Sequence, residues 1–233
     1  MRDGELDDIL KKTAQAQPDP DPALLDRIAA SIQPNMRPVR PLPSARILNL
    51  GIYCASLAIA IAIAAKLGFF GVRAMSGPQI LILVVLPILL GWGAAEWIAE
   101  MIPGSRPHPA PGTFLAVACA ALAALFAILF RDRVTEPFVS QGVACLKAGL
   151  LTAIPAGLAG WTILRRGFAV NPTNAGLAAG SMAGLAGILM LELHCPNFQT
   201  WHVLVWHTAV VPVSAAIAAL TARLAGRRTS GRA

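Results

Sequence analysis

Charge is scarce in this sequence. Only 13% of its 233 residues are Asp, Glu, Lys or Arg, while 56% are hydrophobic, a balance that would leave a soluble domain unable to cover its own surface. Catalytic signatures are missing too. The chain has no phosphate-cradling Gly-rich loop, no pair of histidines at one-turn spacing around a glutamate and no nucleophile elbow, so the expectation is a protein that is not an enzyme. It also has no early apolar stretch. The first one begins at Ile47 after a long polar lead, too late for a secretory signal, so it is expected to stay as a permanent anchor. No long loop between apolar stretches could house a separate extracytoplasmic domain. Any external signal must be read by short loops and helix ends.

Six charge-free windows fill the rest: Ile47 to Ala65, Ala74 to Ala95, Pro107 to Phe130, Ala148 to Leu164, Gly167 to Leu191 and Leu193 to Ala222. About 20 apolar residues suffice to cross the hydrocarbon core as a helix. Backbone polar groups find no water inside lipid, so such segments must close their hydrogen bonds internally. The expected fold is all-α and polytopic: an arm over residues 1–45, a six-span bundle over 46–224 and a basic tail over 225–233. Pro87 and Pro155 could kink the second and fourth spans.

The net charge of +7 suggests nucleic acid, but the basic residues sit at helix ends and in loops rather than in a stripe. Membrane topology accounts for them better, and no direct nucleic-acid contact is expected. With the N-terminus inside, that side holds Arg37, Arg40, Arg46, Arg106, Arg165, Arg166, Arg223, Arg227, Arg228 and Arg232. The other side has Lys66, Arg73, Arg131 and Arg133. Cytoplasmic loops carry the Lys and Arg excess, so both termini are expected in the cytoplasm.

The arm carries two short amphipathic stripes: Leu6, Ile9 and Leu10, then Leu24, Leu25, Ile28 and Ile32, at helical spacings of three and four. Asp21 before Pro22 makes a helix start, with the carboxylate capping free amides and proline in the first turn; Pro34 should stop that helix. Proline-rich stretches hinge the stripes and extend the chain toward the first span. Helices this short bury too little to be stable alone, so a docking partner is implied. Seven of the twelve acidic residues lie in the first 26 positions, a charge that suits a basic protein surface and argues against anionic lipid.

In the membrane region, Gly176, Gly180 and Gly184 recur every fourth residue with Gly187 one turn on, allowing close helix approach. Packing within the bundle is the first reading and homo-oligomerisation the second. Polar residues collect at one boundary. Cys145 and Lys147 open span four on the expected extracytoplasmic side, Glu192 closes span five, and His194 and Cys195 follow in a short turn. His202 starts span six, with His207 about a turn and a half deeper. Thiolates select soft metals, imidazoles bind several transition metals, and a nearby Lys favours a thiolate. In an oxidising compartment Cys145 and Cys195 could instead pair as a disulfide. The candidates are therefore Cys145 and Cys195 as a metal or redox sensor, with His194, His202 and Glu192 as auxiliaries. Lys147 either pairs with Glu192 or snorkels outward. Trp201 and Trp206 fit an interfacial belt, and Cys54 and Cys119 read as packing residues.

Taken together, the acidic arm ending in Arg37-Pro38-Val39-Arg40-Pro41-Leu42-Pro43, the six-span layout and the segment Leu193-His194-Cys195-Pro196-Asn197 resemble the bacterial NrsF family of membrane anti-sigma factors. The resemblance implies that the arm sequesters an extracytoplasmic-function sigma factor at the bacterial inner membrane. It also implies that an extracytoplasmic cysteine pair, matching Cys145 and Cys195, takes part in the response to heavy-metal stress. No resident cofactor is required beyond transient binding of a soft heavy metal, and the remaining partner is membrane lipid. The rival from another class is a small-solute or metal transporter with a regulatory arm.

Overall fold

In the computed structural model, the described residues are 8, 11–12, 21–32, 42–104, 109–132, 137–164 and 166–230, the side chains of 226–230 excepted. Helices make up 85% of the described residues, with no strand among them. The chain divides into two units, Met1–Pro41 and Leu42–Ala233.

In the first unit, α1 spans Pro22–Ile32. The Asp21 carboxylate accepts the Ala23 amide at 3.0 Å, and Pro22 fills a first-turn position where no amide is needed. The helix ends two residues before Pro34. Leu24, Leu25, Ile28 and Ile32 form its apolar stripe, each 44–50% exposed, and no residue of α1 is buried. The first stripe, Leu6, Ile9 and Leu10, lies outside the described residues.

The second unit holds six helices long and apolar enough to cross a membrane: α2 (Ala45–Leu67), α3 (Gly77–Met101), α4 (Pro111–Leu129), α5 (Phe138–Leu164), α6 (Pro172–His194) and α7 (Thr200–Ala225). A five-residue turn, Phe70–Ala74, sits between α2 and α3. Large apolar side chains such as Ile88, Ile128, Leu151, Leu158 and Ile217 stand exposed around the outside. That surface suits lipid and would aggregate in water. The protein is a membrane protein.

One helix organises the bundle. α6 is 83% buried over its apolar window, against 22–44% for the other five, and it packs against all of them. Asn171 starts it by accepting the Thr173 and Asn174 amides at 3.1 and 3.2 Å, and Pro196 prevents its continuation. Its small residues decide its place. A Cβ at Gly176, Gly180 or Gly184 would run into the backbone of Ala218 and Ala219, of Ser214 and Ala215, or of Val211. The ridge is therefore spent on α7 within the same chain, with Gly187 meeting Gly149 of α5. Ser214 Oγ adds a hydrogen bond to the Gly180 carbonyl at 2.8 Å.

Two spans run past the charges that were expected to bound them. α3 continues beyond Ala95 to Met101 because Trp92 Nε1 donates to Glu96 Oε1 at 2.7 Å, one helical turn away. α5 starts at Phe138 rather than Ala148, with Lys147 on its exposed face, where a long side chain can carry its charge outward. Cys145 thus lies about two turns inside α5 instead of at its mouth. Conversely, Gly167 to Asn171 precede α6 rather than belonging to it, and α7 begins only at Thr200. Pro87, Pro155 and Pro212 all sit within helices.

Candidate functional site

The turn between α6 and α7 gathers the chemistry. Cys195 caps α6, its amide bonded to the Leu191 carbonyl at 2.7 Å. The next five residues are pinned near neighbouring helix ends: Asn197 Nδ2 donates to Gln141 Oε1 at 2.7 Å, and the Thr200 amide donates to the Asp132 carbonyl at 2.6 Å. On the other side the Phe70–Ala74 turn seats Gly71 against the Glu192 and Cys195 carbonyls, where any Cβ would collide. A cleft of about 460 Å³ opens over Arg131, Gln141, Pro196, Phe198 and Gln199, beside Cys195 in the chain.

α7 does not start as a regular α-helix. One α-turn, Thr200–His202, is followed by a π-turn over Val203–His207, in which the Thr208 amide reaches the Val203 carbonyl five residues back. The turn widens just ahead of Pro212, whose ring crowds the Thr208 carbonyl and offers it no amide. On a regular α-helix, residues five apart point about 140° away from one another. The π-turn brings His202 and His207 together instead, with ring centroids 5.3 Å apart.

Four side chains converge there. Cys145 Sγ lies 3.5 Å from Cys195 Sγ, and Cys195 Sγ lies 3.8 Å from His202 Nε2. With His207 they offer four ligand atoms within 4.8 Å of one another. Cys195, His202 and His207 are buried and Cys145 is half-buried. The hydrogen bond with Cys145, and then burial, push the Cys195 thiol above the usual thiol range. Behind the cluster, His207 Nδ1 bonds Glu192 Oε1 at 2.6 Å, with both side chains wholly buried. His207 Nε2 and His202 Nδ1 are buried without a hydrogen-bond partner.

The structure places Cys145, Cys195 and His202 side by side, with Glu192 behind them against His207. Glu192 pairs with His207, not with Lys147. His194 does not join: its Nδ1 lies 2.9 Å from the Gly68 carbonyl and its ring packs on Phe70. The sequence marks His207 only as a deeper histidine, because nothing in a five-residue spacing signals convergence without a π-turn. Cys54 and Cys119 are free cysteines, Cys54 exposed and Cys119 half-buried.

Of the arm's expected contact residues, Leu24, Leu25, Ile28 and Ile32 share one exposed face of α1. Among curated proteins and among solved structures, nothing matches this chain. A family model does match over residues 34–227, a stretch containing all six spans and the Cys/His cluster, and its description is NrsF, negative regulator of sigma F. The chain belongs to that family.

Proposed function

We propose that this protein holds an extracytoplasmic-function sigma factor inactive at the bacterial inner membrane through its N-terminal arm, and releases it when the Cys145 and Cys195 thiols bind a soft metal or are oxidised. The observation carrying the arm's role is α1, whose four large aliphatic side chains share one exposed face with none of them buried. An amphipathic helix of this kind docks by laying its apolar face into a groove. Membership of a family of negative sigma regulators supplies the class of partner. In this reading both termini are cytoplasmic, the thiols face the opposite side, and the protein works without catalysis or direct nucleic-acid contact.

Moving the arm from roughly 99% bound to roughly 99% free requires the two bundle states to differ by about 5.5 kcal/mol in their preference for the partner. Soft-metal coordination or thiol oxidation supplies energy on that scale, whereas an exposed ion pair, at about 0 to 1 kcal/mol, does not. Transport has less support, since α6 fills the centre of the bundle. The glycine ridge, engaged by α7, leaves self-association to other faces.

The test is co-purification of the full-length protein from membranes with the sigma factors of its host. One sigma factor should accompany it and dissociate on exposure to Cd²⁺ or a thiol oxidant. Absence of any sigma factor from the wild-type preparation would remove the arm's proposed role. Unchanged release from a Cys145→Ser, Cys195→Ser variant would remove the sensor.

A further inference from the structure

We propose that Cys145, Cys195, His202 and His207 form a four-coordinate site for a d¹⁰ divalent cation, Zn²⁺ or the softer Cd²⁺, with Glu192 fixing His207 from behind. The proposal names the ligand of the sensor proposed above and rests on that reading for its role in signalling; the site's existence is tested separately.

The donor set comes first. Two thiolates with two imidazoles are the ligands of tetrahedral zinc sites, and thiolates favour softer congeners still more. The geometry agrees. Bonds of about 2.3 Å to sulfur and about 2.0 Å to nitrogen place tetrahedral ligands about 3.3–3.8 Å apart. The sulfur–sulfur separation here is 3.5 Å and Cys195 Sγ to His202 Nε2 is 3.8 Å, with no ligand pair beyond 4.8 Å. Side-chain adjustments of about 1 Å would close the tetrahedron, as metal binding to a pre-assembled cluster requires.

The environment of His207 is the independent observation. Its Nδ1 is held by the Glu192 carboxylate at 2.6 Å while Nε2 is buried and unpartnered. That is the carboxylate–histidine–metal arrangement, in which the carboxylate fixes the tautomer and turns the other nitrogen toward the ion. A histidine serving only as a packed core residue would have both nitrogens satisfied. The π-turn gives the same indication, because it spends regular helix geometry to bring His202 and His207 onto one centre, and such turns concentrate at functional sites. Binding displaces the two thiol protons to solvent, and two thiolates balance the charge of the cation with no change in oxidation state.

The experiment titrates reduced, metal-free, full-length protein in lipid nanodiscs with Co²⁺ and Cd²⁺, in a Cys54→Ser, Cys119→Ser background. One equivalent of Co²⁺ should give the intense visible bands of a tetrahedral ion with sulfur charge transfer, and Cd²⁺ should displace it with a thiolate–cadmium ultraviolet band. His202→Gln and His207→Gln should each alter the Co²⁺ spectrum and weaken binding at least about tenfold. Glu192→Gln should keep the spectrum and weaken binding about 10- to 100-fold. Cys145→Ser, at the half-buried position, serves as the variant least dependent on core packing, and metal-free melting curves confirm that each variant is folded. A wild-type spectrum without tetrahedral features, or unchanged binding in folded His202→Gln and His207→Gln, overturns the proposal. Sigma-factor capture is read on the same metal-free preparation. Capture without a tetrahedral spectrum sinks the metal site alone, and a tetrahedral spectrum without capture supports the site while sinking the anti-sigma reading.

Discussion

Helix α1 and helix α6 are both short of charge on one face and both begin with a capping residue before a proline, yet they end in opposite states. α1 buries nothing. α6 is the most enclosed element of the bundle. The difference lies in what each has to pack against. α6 has small residues that admit the α7 backbone at van der Waals contact, so its stability comes from neighbours in its own chain. α1 carries large aliphatic side chains, which are worth most when a complementary groove covers them. The proposed relay would need this division, a stable core next to its sensor and a marginal helix at its output, because a segment that must let go cannot be held by its own fold.

The comparison breaks if the two helices turn out to share one stability. The largest effect is expected from Leu24→Asp with Ile28→Asp. Covering each side chain is worth about 1.5–3 kcal/mol, so sigma-factor affinity should fall about 100-fold or more, while thermal melting of the full-length protein stays unchanged. A fall in both would mean the stripe packs on the bundle instead. Next comes Gly180→Val, whose Cβ overlaps the Ser214 carbonyl and the Ala215 backbone. Overpacking should destabilise the bundle by about 1–3 kcal/mol, read by reversible unfolding in bicelles, with arm affinity for the sigma factor intact in the metal-free protein.

Asp21→Ala sharpens the same contrast. Removing an N-cap costs about 1 kcal/mol, so capture should weaken about fivefold, with α1 helicity falling and the bundle unaffected. The smallest expected change belongs to Ser214→Ala. It deletes the bond to the Gly180 carbonyl, and interhelical hydrogen bonds in membranes average about 0.6 kcal/mol. A loss above about 2 kcal/mol would show that polar contact, and not the fit of the glycine ridge, holds α6 to α7.

Six spans were legible because lipid leaves a chain no other way to satisfy its backbone. Their ends were less so. Glu96 and Lys147 looked like borders, but Trp92 takes up one carboxylate and Lys147 faces outward, so both helices pass through the charge. At the site, cysteine chemistry marked Cys145 and Cys195, and proximity to the same boundary marked His202 and Glu192. His194 met the same criterion and is bound elsewhere, to the Gly68 carbonyl. His207 was the missing member, since its partnership with His202 depends on a helix irregularity that hydrophobic periodicity does not encode.

The π-turn over Val203–His207 has one further consequence. It splices two helical phases into a single span, one that aims His202 and His207 at the cysteines and one that aims Ser214 and Val211 at the glycine ridge. Relaxing that turn to a regular α-helix rotates one half against the other by about 100°, so both alignments cannot survive together. In span six, this one turn holds the pairing of His202 with His207 in register with the fit of Val211 and Ser214 on the glycine ridge.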